Sequence, residues 1–199
     1  IKSDLEFSRK NNLIEEIVMI SAIGRSGKGM MANVLSSFNR IEKLHFLDIF
    51  ESIGILWQYG KISKDAAISL LRIEGDKHLY NSFIGRDMNF RPTDASSIFN
   101  NSDPGKYIKR LFNDAEVVDK IVCEKPIMQT AFHDGIRYAE LYFDTFGKKL
   151  KMVHIIRDPV ETVYSWQKRD FGVRIGHDLR EFHLTVCRGE EVVPHDAVG

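Results

Sequence analysis

The sequence contains only two cysteines, no long apolar run and no excess of either charge. Cys123 and Cys187 lie far apart and in no metal-ligand spacing, so neither a disulfide framework nor a zinc site is indicated, and we assign neither thiol a role. No apolar run approaches the roughly 20 residues of a membrane span, and residues 1–16 are too charged for a signal peptide. We therefore expect a cytoplasmic protein without a membrane span.

The charges balance, with 28 Lys and Arg against 28 Asp and Glu. This balance favours neither nucleic acid nor an anionic membrane as the main partner. A hydrophobic content of 43% in 199 residues is enough for one globular domain with a substantial core. A site for an anionic ligand must then come from a local concentration of positive charge. The oligomeric state stays open, a homodimer being one alternative.

The most informative segment is residues 17–31, which read IVMISAIGRSGKGMM. The unbroken Ile, Val and Met run is typical of a strand that is covered on both faces. Gly24, Gly27 and Gly29 allow the backbone that follows to turn its N–H groups toward an anion. The segment therefore predicts a phosphate-binding loop between a strand and a helix, and the alternative is a glycine-rich turn with two solvated cations.

The two cations of this loop, Arg25 and Lys28, would add full charges to the partial positive charge of the helix start. The strict P-loop pattern has glycine where this chain has Ala22, and serine or threonine where it has Gly29. Without a hydroxyl at position 29 the usual magnesium ligand is missing. The loop is thus predicted to bind an anion without a required metal, and we expect no metal site.

Strand-like runs at 17–23, 120–124 and 151–157 alternate with segments of helical spacing. This alternation indicates an α/β fold, which we predict to be a P-loop-like three-layer sandwich with helices flanking a central parallel sheet. Apolar spacing predicts helices over 28–38, 47–58, 63–73, 104–112, 129–146 and 159–168. The polar stretch 81–103 is interpreted as a long loop that faces the substrate.

Three polar clusters follow the predicted strands: the glycine loop, Glu124-Lys125-Pro126 and Arg157-Asp158-Pro159. Because ligands of parallel sheets sit beyond the carboxyl ends of the strands, we expect the three clusters to converge on one crevice. Lys125 would add positive charge there, the alternative being a surface ion pair with Glu124.

A second phosphate site is predicted around Arg157. Ser165 lies eight residues further on, about two turns along the following helix, so one phosphate could contact both side chains. A guanidinium offers a planar fork of donors to phosphate oxygens, and a serine hydroxyl adds a neutral donor. Trp166 beside it is assigned to helix packing.

Together these motifs resemble the sulfotransferases that use 3′-phosphoadenosine 5′-phosphosulfate (PAPS). That family has a basic-Ser-Gly loop for the 5′-phosphosulfate, matched here by Arg25, Ser26 and Gly27. It also has a strand that ends in Arg, with Ser eight residues later, for the 3′-phosphate, matched by RDPVETVYS at 157–165. The acidic-Lys-Pro element at 124–126 is similar as well, and the resemblance extends from Ile17 to about Gly172.

The resemblance implies PAPS as cofactor and adenosine 3′,5′-bisphosphate as its product. It implies a single sulfotransferase-like domain over 1–199 that lacks part of the C-terminal region covering the cofactor. Arg25, at the bridging oxygen, and Lys28 are the expected catalytic cations. The residues expected to bind the cofactor are Gly24, Arg25, Ser26, Gly27, Lys28, Gly29, Arg157 and Ser165.

The general base carried over from the family falls near residues 44–48. His45 is the preferred candidate, because a near-neutral pKa suits removal of a proton from a hydroxyl. Asp48, Glu51 and His133 are the alternatives.

The predicted function is transfer of a sulfuryl group from PAPS to a hydroxyl of a small molecule or glycan. One alternative is an ATP-dependent P-loop kinase, favoured by Gly27 and Lys28 but opposed by Ala22 and Gly29. The other is a nucleotide-binding module without catalytic activity. The sequence leaves the identity of the acceptor open, since such pockets are formed by variable loops.

Overall fold

A computed structural model of the chain describes residues 4–174, 178–179, 184–188 and 191–194. The strands are β1 (Glu16–Ser21), β2 (Ile41–His45), β3 (Ile127–Phe132), β4 (Leu150–His154), β5 (Thr185–Arg188) and β6 (Glu191–Pro194). The α-helices are α1 (Lys28–Leu35), α2 (Asp48–Gln58), α3 (Lys64–Phe83), α4 (Pro104–Arg110), α5 (Val118–Glu124), α6 (Ala139–Phe146), α7 (Pro159–Gln167) and α8 (Phe171–Arg174).

Cys123 is exposed and free, and the side chain of Cys187 lies outside the described residues.

The central sheet has four parallel strands in the order β2-β3-β1-β4, and β5 pairs with β6 in a separate antiparallel ribbon. The predicted α/β class with helices around a central parallel sheet is therefore confirmed. Since β1 lies between β3 and β4 and all three are parallel, the segments that follow these strands lie next to one another at the carboxyl ends of the sheet. Within the described part of the chain, no helix is long and apolar enough to cross a membrane.

Both faces of β1 are buried, which explains its unbroken apolar sequence. Ile17 and Met19 belong to a core formed with residues of α2, α3 and α6. Val18 and Ile20 pack on the opposite face against Ala32 of α1. Helices thus cover both faces of the sheet. This packing holds β1, and the glycine loop follows directly after this strand.

The prediction of a strand at 120–124 was wrong, because these residues form the end of α5. The strand is β3, and it occupies the start of the segment that was predicted as a helix over 129–146. The sequence of β3 includes a fully buried amide residue, Gln129. Its side-chain amide donates to the backbone carbonyls of Ala32, at 3.0 Å, and Glu42, at 3.1 Å. Long-range partners therefore permit a polar residue within a buried strand.

Lys125 consequently lies near the amino ends of the parallel strands, whereas the glycine loop lies at their carboxyl ends. It ends α5 in a left-handed conformation, with φ of 47°, two residues before β3 begins. Its ammonium group is 3.8 Å from the carboxylate of Glu15, which directly precedes β1. The expected contribution of Lys125 to the crevice was wrong, because a turn that precedes a parallel strand lies at the amino end of the sheet.

Strand β2 escaped prediction because its charged side chains are buried. The carboxylate of Glu42 has no exposed surface and accepts hydrogen bonds from Arg110, at 2.6 and 2.9 Å, and from Lys106, at 2.8 Å. Burial alone would raise the pKa of Glu42, but these two cations hold it below its usual value. The tyrosine hydroxyl of Tyr107 accepts the N–H of Lys43 at 2.8 Å, so α4 covers this sheet edge.

The remaining predicted helices are present with shifted ends. The largest difference is in α3, which continues to Phe83, ten residues past the predicted end at 73. The polar loop therefore begins at residue 84, and it contains a short 3-10 turn at Ile98–Asn100.

Candidate anion site

The glycine loop, residues 22–27, leaves the carboxyl end of β1 and leads directly into α1. It is flanked by the segment that follows β3 and by the start of α7. Asp158 caps α7 through its side chain, which accepts the N–H of Glu161 at 3.0 Å, and Pro159 occupies the first turn, as the sequence predicted. Of the three clusters expected at this edge, the structure brings together the glycine loop and the Arg157 segment.

The loop backbone is curled by two left-handed residues, Arg25 with φ of 69° and Gly27 with φ of 96°. Glycine adopts this conformation without strain, whereas for arginine it costs roughly 1–2 kcal/mol. Strain of this kind persists only where surrounding contacts enforce it. Residues 24 and 25 form a turn, and in the described part of the chain the N–H groups of residues 24, 25 and 27–30 donate to no protein acceptor. They form a concave set of donors that continues into the first turn of α1.

The carbonyl oxygens of the same loop are held from the other side. Four consecutive carbonyls each accept a hydrogen bond from a side chain. The pairs are Ala22 O with Lys28 Nζ at 2.6 Å, Ile23 O with Ser26 Oγ at 2.7 Å, Gly24 O with Trp166 Nε1 at 2.9 Å, and Arg25 O with Arg157 Nη1 at 2.7 Å. The sequence indicates neither this role of Arg157 nor that of Trp166.

Arg157 and Ser165 both contact Arg25, so the two predicted phosphate sites are adjacent. Arg25 Nε donates to Ser165 Oγ at 3.2 Å, and the second terminal nitrogen of Arg157 lies 3.4 Å from the carboxylate of Glu161. These side chains are exposed or half-buried. Two guanidinium groups and one hydroxyl thus lie at one side of the loop, with donors accessible to an anion.

Lys28 lies on the other side of the loop. Burial lowers its pKa to about 8, against the opposing effect of the nearby carboxylates of Glu51 and Asp134. Its Nζ carries three protons below that pH and donates to Ala22 O, so further donors remain for a ligand.

Glu51 and His133 form a pair beside Lys28. Nδ1 of His133 is 3.8 Å from Oε2 of Glu51, while Oε1 accepts the N–H of Asp134 at 2.9 Å. Burial alone would raise the pKa of Glu51, yet the His133 imidazole and the N–H of Asp134 hold it below its usual value. Glu51 is therefore an ionised carboxylate facing an imidazole that is 62% exposed. A Cβ at Gly24 would lie 3.9 Å from Cδ2 of His133, which places the imidazole against the loop.

His45, the preferred base candidate, is buried at the end of β2, with only 5% of its surface exposed. Burial and the nearby Lys43 and His78 hold its pKa well below the usual value. None of its electrostatic neighbours belongs to the glycine loop. Asp48 is exposed at the first residue of α2. Among the four candidates, Glu51 and His133 are the two that the structure places beside the loop.

Gly29 is required by the approach of a neighbouring loop. A Cβ at this position would lie 2.9 Å from the Cβ of Ala95, closer than folded proteins tolerate. The absence of a hydroxyl at position 29 thus has a packing cause. An open groove of about 740 Å³ lies between α1 and the loop that carries Ala95, and Gly29 is one of its lining residues.

Comparisons of the chain with family models, curated proteins and solved structures found no match. Within the described residues, no group of three or more His, Cys, Asp or Glu side chains is placed to hold a metal ion.

We expect Gly29→Ser to destabilise the protein by about 1–3 kcal/mol, because the new Cβ overlaps Ala95. Ala95→Gly removes the overlapping atom and should recover most of this loss in the double variant. A double-mutant cycle measured by urea unfolding gives the coupling between the two positions. Additive losses, with no coupling, would contradict the assignment of Gly29 to this contact.

Proposed function

We propose that the protein is a PAPS-dependent sulfotransferase that transfers a sulfuryl group to a hydroxyl of a small molecule or glycan. The observation that carries the proposal is the contact of Arg157 and Ser165 with Arg25 of the glycine loop. Two anion-binding motifs that are about 130 residues apart in sequence share one edge of the sheet. A nucleotide with charge at both its 5′ and its 3′ position explains both motifs, whereas a nucleotide charged only at its 5′ position leaves the second unexplained.

The residues of the site fit the two charged ends of this nucleotide. The backbone N–H groups of residues 24, 25 and 27–30, together with the side chain of Lys28, would bind the 5′ end. Arg157 and Ser165 would bind the 3′-phosphate. A glycine loop between the central strand β1 and α1 also supports a P-loop-like fold. Because position 29 is glycine, the loop has no hydroxyl there to hold magnesium.

When bound, PAPS supplies a sulfuryl group on a phosphate leaving group. Sulfuryl transfer requires in-line positioning, removal of the acceptor proton and neutralisation of charge on the leaving phosphate. Lys28 and Arg25 would neutralise the charge left on the 5′-phosphate oxygen as its bond to sulfur breaks. The pKa of about 8 for Lys28 leaves its ammonium group mostly charged at neutral pH.

We assign proton removal to the Glu51 and His133 pair in place of His45. The exposed imidazole of His133 can receive the proton of the acceptor hydroxyl on Nε2, while the Glu51 carboxylate faces Nδ1 and stabilises the charged ring. His45 is too deeply buried to reach an acceptor that arrives from solvent.

The direct test is transfer of ³⁵S-labelled sulfate from PAPS to a panel of phenols, alcohols and oligosaccharides, with chelator present. We expect labelled product, and His133→Asn should lower kcat by about 10²–10⁴-fold without weakening the binding of adenosine 3′,5′-bisphosphate. His45→Asn is the matched variant, and a loss of kcat confined to it would assign the base to His45. Bound nucleotide with no labelled product, or activity only with ATP and magnesium, would contradict the proposal.

Ser165→Ala tests recognition of the 3′-phosphate. Loss of one hydrogen bond to a charged group should weaken the binding of adenosine 3′,5′-bisphosphate by about tenfold, and leave adenosine 5′-monophosphate unaffected. Calorimetric titration of both nucleotides measures the difference. Tyr164→Phe, which removes a hydroxyl one residue away, is the control. Equal losses for the two nucleotides would show that Ser165 does not contact the 3′-phosphate.

A further inference from the structure

We propose that Trp166 is a positioning residue of the anion site: its indole N–H holds the Gly24 carbonyl and thereby aims the N–H of Arg25 at the ligand. The inference rests on the proposed function, since it assumes that the glycine loop binds the anionic end of a nucleotide. The chain contains two tryptophans, and the other, Trp57, lies in α2.

Peptide geometry carries the first step. The C=O of Gly24 and the N–H of Arg25 belong to one planar trans peptide unit, so they point in opposite directions. Trp166 Nε1 donates to this carbonyl at 2.9 Å. Fixing the oxygen against the α7 side therefore fixes the N–H toward the open side of the loop. This peptide unit leads into the left-handed Arg25, where the backbone carries strain that must be held by contacts.

The second step rests on the chemical nature of the four side chains that donate to the loop carbonyls. Lys28 and Arg157 are cations, and an anion in the loop would compete with the carbonyls for the hydrogen bonds that these two side chains donate. Trp166 and Ser26 are neutral, so neither is drawn to the anion by charge. Ser26 belongs to the loop itself and bonds the carbonyl three residues before it. Trp166 is therefore the neutral donor that fixes the loop from a separate element.

The position of the indole carries the third step. Trp166 follows Ser165 and comes 142 residues after Gly24, so its hydrogen bond joins α7 to a loop that is distant in the sequence. A Cβ built on Gly24 would lie 3.6 Å from Nε1, so the indole edge lies directly against this residue. The side chain is 37% exposed, and substituting phenyl for indole removes the donor without opening a deep cavity.

The test uses inorganic pyrophosphate, which probes the loop without the adenosine or the 3′-phosphate. We expect Trp166→Phe to weaken its binding by about three- to tenfold, the effect of one hydrogen bond. The melting temperature without ligand should change little. Trp57→Phe, which removes an indole N–H from α2, should leave the affinity unchanged.

A spectroscopic signature separates positioning from a general structural role. With two tryptophans in the chain, the ¹H–¹⁵N spectrum resolves their indole N–H resonances individually. Pyrophosphate should shift the Trp166 resonance and leave that of Trp57 in place. Pyrophosphate binding that Trp166→Phe does not weaken would overturn the role of Trp166 and leave the proposed function standing. Failure of both pyrophosphate and adenosine 3′,5′-bisphosphate to bind the parent protein would overturn both.

Discussion

The anchoring of four consecutive carbonyls in the glycine loop is the interaction on which the site depends. A loop with free carbonyls would present mixed polarity, and an anion approaching it would meet oxygen lone pairs as well as N–H groups. Here side chains occupy the carbonyls of residues 22–25, and the N–H groups that follow are left for a ligand. In the proposed function, the loop is thus organised before an anion binds, which would reduce the cost of ordering it on binding.

The sheet supplies the frame for this loop. Because β1 lies between β3 and β4, the glycine loop has His133 and Asp134 on one side and the Arg157 segment on the other. The two sides differ in chemistry. One side carries two guanidinium groups and one hydroxyl suited to phosphate, and the other carries a lysine, a carboxylate and an exposed imidazole suited to proton transfer. A donor and an acceptor would therefore approach opposite sides of the same loop.

The glycine loop and the start of α7 could be predicted from the sequence, because glycine positions and the Asp158-Pro159 pair determine the backbone of only the few residues around them. Prediction failed where buried polar groups have hydrogen-bond partners that are distant in the sequence. Gln129 in β3 and Glu42 in β2 look incompatible with buried strands until their partners on α1, β2 and α4 are known. The burial of His45, which led us to propose another base, is likewise a tertiary property that its sequence position does not show. The sequence did not indicate the role of Trp166, because its hydrogen bond to Gly24 joins residues that are 142 positions apart.

We propose that one nucleotide, with an anionic group at its 5′ and at its 3′ position, occupies both the glycine loop and the Arg157 segment. The most direct measurement is a ¹H–¹⁵N titration of the backbone amides with adenosine 3′,5′-bisphosphate. The amides of residues 24–29 should shift together with those around Ser165, along a single binding curve. Shifts confined to one of the two segments, or two separate curves, would contradict the claim.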